Sequence, residues 1–134
     1  LYLIVQVRDD RHASQDATDA MWQADSLQVG VASGTGGGFS EYTIGTVGGK
    51  VVVYRHHGER GEAAGVAPAE EVEAQVERHE PGVTLYRVAI DRAVTGEGEF
   101  FLNLVVNDRD RDERKQWLAW KPGMAESKDP TLWY

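Results

Sequence analysis

Cysteine is absent from the 134 residues of the chain. That excludes a disulfide framework, a thiolate metal centre and a cysteine nucleophile. Long hydrophobic runs are missing too: no stretch stays apolar for the about 20 residues that cross a bilayer. Basic residues are scarce, 14 against 22 acids, for a net charge of −8. Binding a phosphate backbone requires clustered Lys and Arg, so neither nucleic acid nor membrane is expected as a partner. No segment shows the spacing of an amphipathic helix of several turns, and no secretory leader is legible. The chain begins at Leu1, inside an apolar run and without Met. The expectation is one domain over residues 1–134, N-terminally incomplete and processed or excised from something longer.

What is present is mostly of period two. Leu1, Leu3, Val5 and Val7 alternate with Tyr2, Ile4, Gln6 and Arg8, a strand with one buried face. Residues 13–24 are small and polar, a loop carrying the bulky pair Met21-Trp22. Leu27, Val29 and Val31 mark a second strand, and Tyr42, Ile44 and Val47 a third. Gly48-Gly49 signals a hairpin into Lys50–Arg55. Residues 56–69 read as an exposed loop. Between Pro68 and Pro81 the residues are good helix formers, but Val72, Ala74 and Val76 alternate with acids and Gln75, which favours a half-buried strand. Tyr86, Val88 and Ile90, then Leu102, Leu104 and Val106, then Leu118 and Trp120 supply the remaining strands. The sum is an all-β, antiparallel β-sandwich, a two-sheet module of the jelly-roll or immunoglobulin-like kind.

Few motifs carry chemistry. The glycines at 34–38 lack the Lys-Ser/Thr of a phosphate loop and join two strands, so they read as a linker. The four histidines, His12, His56, His57 and His79, read as surface residues, with His56 and His57 on opposite faces of a strand. No serine stands in a nucleophile elbow, and no two acids are marked as a glycosidase pair. No catalytic residue is assigned, and an enzyme is not expected. The run Asn107-Asp108-Arg109-Asp110-Arg111-Asp112-Glu113 leaves a strand for a loop. Its alternating oxygen donors suit a hard cation such as Ca²⁺; its interleaved arginines suit ion pairing equally well. Asp9, Asp10 and Asp25 at strand ends carry the same two readings. Of the tryptophans, Trp120, beside Leu118, is expected in the core, and Trp22 is the candidate for an exposed aromatic that stacks on a sugar ring.

Several segments, in order, resemble the family 9 carbohydrate-binding modules and their wider sandwich superfamily. They are Leu1–Asp10 followed by Trp22-Gln23-Ala24-Asp25-Ser26-Leu27-Gln28-Val29; Tyr86-Arg87-Val88-Ala89-Ile90; and Asn103–Asp108, Trp117-Leu118-Ala119-Trp120 and Ser127-Lys128-Asp129-Pro130. The family's opening strands have no counterpart. The resemblance implies a sandwich with structural Ca²⁺, here matched to Asp9, Asp25, Asp108 and Asp110. It implies a glycan site between two tryptophans, where Trp22 matches one and Lys128 replaces the other. The polar grips match Gln28, Thr43 and the apolar Val105, with Asn103 nearby in the pattern. Trp22 beside Lys128 would suit an acidic sugar. The expected role is a non-catalytic accessory module of a larger exported, polysaccharide-active protein, extracellular or periplasmic. A structural or protein-interaction domain that has lost the sugar is the alternative. A superfamily relative binding haem ranks third, since Met21, Met124 and the histidines form no ligand pair.

Overall fold

The computed structural model describes residues 1–34, 38–79, 81–111 and 114–133, with side chains left out of the description at 111, 114 and 115. Two antiparallel sheets pack face to face. The smaller contains β1 (Tyr2–Arg8), β6 (Val72–His79) and β7 (Val83–Ile90) in the order β1-β7-β6. The larger contains β2 (Ser26–Ser33), β3 (Ser40–Val47), β4 (Lys50–His57), β5 (Gly65–Val66), β8 (Phe100–Arg111) and β9 (Arg114–Ala119), in the order β5-β4-β3-β2-β8-β9.

Alternation sets the inner faces. Leu27, Val29 and Val31 of β2, Tyr42 and Ile44 of β3, and Tyr86, Val88 and Ile90 of β7 are buried between the sheets. Val72 joins them, so the segment after Pro68 is a strand: an antiparallel register from Val72↔Ile90 to His79↔Val83 supplies partners that an isolated helix of this length lacks. Gly48 and Gly49 have φ of 56° and 75°, the left-handed pair that a two-residue hairpin between β3 and β4 requires.

The larger sheet is also covered on its outer face. The chain after β9 folds back over it and buries Met124 and Trp133 against Ala32 and Val105. Gly30 makes this possible, because a Cβ there would lie 2.5 Å from the Trp133 ring. β2 is therefore buried on both faces, although its pattern reads as one-sided.

Several expectations are corrected. Residues 56–69 are not simply an exposed loop: β4 runs on to His57, Gly65–Val66 pairs with it, and Gly58 and Ala67 are buried. Thr18–Gln23 is a two-turn 3-10 helix, Pro130–Leu132 a single 3-10 turn, and Arg92–Thr95 one α-helical turn. β8 continues to Arg111, so Asp108 and Asp110 lie in a strand, with a register shift between Arg109 and Arg111. Asp112 and Glu113, like residues 35–37 of the glycine run, lie outside the described residues. Trp120 is not core but 55% exposed.

The last correction follows from sheet width. β6 lies against β4 and β3, while Asp9, just after β1, approaches Asp108 and Asp110 of β8. The strands β6-β7-β1 thus span the larger sheet from β4 to β8, and β9 lies beyond them. Leu118 pairs with Val106, and the Trp120 N–H donates to Leu104 O. Both residues therefore share the inner face with apolar neighbours, yet among the described residues no opposing strand covers them.

Candidate functional site

A cleft of about 450 Å³ opens on the outer face of the larger sheet. Its lining combines Trp22 and Trp117 with Gln28, Glu41, His56, Asn107, Ala125 and Lys128. The register explains the gathering. Gln28 stands opposite Thr43 on β3 and Val105 on β8, and Asn107 stands opposite Trp117 on β9. Directly paired residues share a face. Met21 anchors the rim from the side: its sulfur is buried over Gly45, where a Cβ would lie 3.4 Å away. The 3-10 helix then leaves Trp22 38% exposed at the cleft, and Trp117 is 52% exposed.

The floor is a chain of satisfied polar groups. Asn107 Nδ2 donates to Gln28 Oε1 and to Ser26 Oγ, both at 3.2 Å. Gln28 Nε2 donates to Glu41 Oε1 at 3.0 Å, and Lys128 Nζ donates to the same oxygen at 2.5 Å. Thr43, fully buried, shares a 2.8 Å hydrogen bond with His56 Nε2. Burial pushes the His56 imidazole below its usual value; Glu41 opposes that shift, and Lys128 adds to it. Lys128 has φ 53°, and among the described residues it is the one non-glycine with positive φ. The turn that holds it is built by Asp129, whose carboxylate accepts from the Thr131 N–H at 3.0 Å, with Pro130 opening the next turn.

The expected glycan residues are thus divided. Trp22, Gln28 and Lys128 come together at the cleft, and Thr43 lies beneath it. Asn103 lies elsewhere: its buried amide donates to Lys121 O and Pro122 O, both at 3.0 Å, and fastens the turn after β9. Val105 is sealed under Met124 and Trp133. Lys128 does not offer an uncompensated charge, because Glu41 neutralises it. Trp117, His56 and Asn107 carry other readings in the sequence and Glu41 carries none; none of the four is marked there as a glycan residue. Only the register, which aligns β3, β2, β8 and β9, reveals them.

A second constellation sits where β1, β2 and β8 end together. Carboxylate oxygens of Asp9, Asp108 and Asp110 lie within 4.8 Å of one another, as do ligand atoms of Asp9, His12 and Asp25. Asp25 is already engaged. It accepts from the Ala13 N–H at 2.6 Å and the Arg109 N–H at 2.9 Å, and its Oδ2 lies 3.1 Å from His12 Nδ1. Burial alone would raise its pKa, but these bonds outweigh burial and hold it below the usual value. Asp9 receives the Arg11 N–H at 2.8 Å and an Arg78 guanidinium nitrogen at 3.4 Å. Asp108 differs: its Oδ1 is buried without a hydrogen-bond partner. Burial, followed by the charges of Asp9, Asp110, Asp25 and Asp10, raises its pKa. These oxygens fit a hard cation, which would supply the missing partner.

No family model, no curated protein and no solved structure matches the chain.

Proposed function

We propose that the chain is a non-catalytic glycan-binding module of a larger exported, polysaccharide-active protein, as its resemblance to the family 9 modules implies. The observation that carries this reading is the pairing of two half-exposed tryptophans, Trp22 and Trp117, with a hydrogen-bonded polar floor in one cleft. Indole faces stack on the apolar C–H surface of a pyranose, while amide, carboxylate and ammonium groups meet its hydroxyls. The Glu41–Lys128 pair is compensated, so it suits neutral hydroxyls better than the acidic sugar that a lone lysine would favour. Asp9, Asp108 and Asp110 would hold a structural Ca²⁺ at the far corner.

Titration with neutral, uronate and sulfated oligosaccharides, read by tryptophan fluorescence, tests the reading. Binding is expected to fall about tenfold in Trp22→Ala and again in Trp117→Ala, roughly 1.4 kcal/mol each. A silent panel would overturn it in favour of a structural or protein-interaction domain.

A further inference from the structure

The cleft draws its lining from five consecutive strands of the larger sheet: His56 on β4, Glu41 on β3, Gln28 on β2, Asn107 on β8 and Trp117 on β9. Neighbouring strands lie about 4.8 Å apart, so the backbones beneath the cleft extend over roughly 19 Å. The register gives the lining a direction. Glu41 stands opposite Gly30, two residues along β2 from Gln28, and Asn107 stands opposite Ser26, two residues the other way. The polar floor therefore crosses the sheet diagonally, from His56 towards Trp117. The covering segments flank this diagonal. Met21 packs over Gly45 on one side, and Trp133 and Met124 pack over Gly30 and Val105 on the other.

Spare hydrogen-bonding atoms are spread along the same line. Glu41 takes both of its donors on Oε1. Asn107 spends its amide nitrogen on Ser26 and Gln28. Glu41 Oε2 and Asn107 Oδ1 accept nothing among the described residues, and neither atom is sealed from solvent. The strands that carry them are two spacings apart, roughly 10 Å. That separation exceeds one pyranose ring and suits successive rings of a glycan. Glu41 and Lys128 compensate each other in charge, so the floor favours a neutral one.

Resting on the glycan reading above, we propose that the cleft is a groove for the interior of an extended, neutral β-1,4-linked pyranose chain, and not a pocket for one terminal sugar. Linkage through β-1,4 bonds keeps successive rings in line, so each ring meets the group that the next strand supplies. An α-1,4-linked chain coils away from such a row. Hydroxyls of one ring donate to Glu41 Oε2, and those of a later ring donate to Asn107 Oδ1. Trp117 stacks on the ring that lies over β9, and Trp22 on one nearer β3. Neither chain end is needed for any of these contacts.

The probes are two length series of neutral gluco-oligosaccharides, β-1,4-linked and α-1,4-linked, each running from disaccharide to hexasaccharide, with calorimetry as the readout. In the β-1,4 series affinity is expected to rise about tenfold from disaccharide to tetrasaccharide and then to level off. Reducing the terminal sugar of the hexasaccharide to its alditol should change affinity by less than about twofold. Trp117→Ala removes the stacking face at the β9 end and should flatten the length dependence, and Trp117→Tyr should restore it. Equal affinity for disaccharide and hexasaccharide, or a large loss on reducing the chain end, would overturn the groove in favour of a single-sugar pocket and leave the glycan reading standing. Equal binding of the α-1,4 series would overturn the extended-chain specificity on its own. Silence in both series, with the uronate and sulfated panel silent as well, would overturn the glycan reading and the groove together.

Discussion

The cleft and the acidic corner are built from the same materials, carboxylates at or beside strand ends, yet they are finished differently. In the cleft, the buried carboxylate of Glu41 has both an ammonium and an amide donor. In the corner, an oxygen of Asp108 is buried with neither. On the proposed reading, the compensated site suits a ligand that brings hydroxyls and the uncompensated one a ligand that brings charge. The contrast teaches that counting acids says little. What matters is which of them the fold supplies with donors.

The sharpest way to separate the two regions is to remove the cover that frames only one of them. Trp133→Ala empties a buried indole site over Gly30 and should cost about 3–5 kcal/mol in urea unfolding. Glycan affinity should fall with it, while the rise in melting temperature that Ca²⁺ should give if Asp9, Asp108 and Asp110 hold it should persist. If the calcium increment also disappears, the regions are one unit and the contrast fails.

Next in size is a pair of opposite-signed substitutions. Glu41→Ala strands the Gln28 amide and the Lys128 ammonium and should destabilise by about 1–3 kcal/mol. Asp108→Asn in the metal-free protein relieves crowding among Asp9, Asp110 and Asp25 and should stabilise by about 0.5 kcal/mol, while abolishing the response to Ca²⁺. Two destabilising outcomes in thermal melts would show that Asp108 is satisfied after all.

A smaller effect is expected from pH. His56 is held below its usual value by burial, so the unfolded chain takes up the proton first as pH falls. Stability from the neutral ring is thus complete above about pH 6.5 and is lost as pH drops below that value. His56→Gln, which cannot titrate, should flatten this part of the melting-temperature profile. An unchanged profile would place the charge-sensitive group elsewhere.

Smallest of all is Lys128→Gly. It relieves a positive-φ lysine, worth about 1 kcal/mol, but takes the ammonium from the buried Glu41 carboxylate, a loss of about 1–3 kcal/mol, so the two largely offset and the net change should be about 1 kcal/mol. Glycan affinity should nevertheless drop. A large loss of stability would make Lys128 a structural residue rather than a ligand group.

The sequence by itself determined the strands and their inner faces. Period two in Leu1–Val7, Leu27–Val31 and Tyr86–Ile90 needs no partner to be read, because successive side chains must point to opposite faces. It also determined the Gly48-Gly49 hairpin, since only glycine adopts that pair of φ values at no steric cost. It marked Trp22, Gln28 and Lys128 through the family resemblance. Only the tertiary structure decided the rest. Register is a relation between strands, so the gathering of Glu41, Asn107 and Trp117 around Gln28 is invisible along any one of them. Coverage is a relation between layers. Trp133 is buried because the chain's end folds over Gly30, and Trp120 is exposed because a three-stranded sheet is too narrow to reach β9.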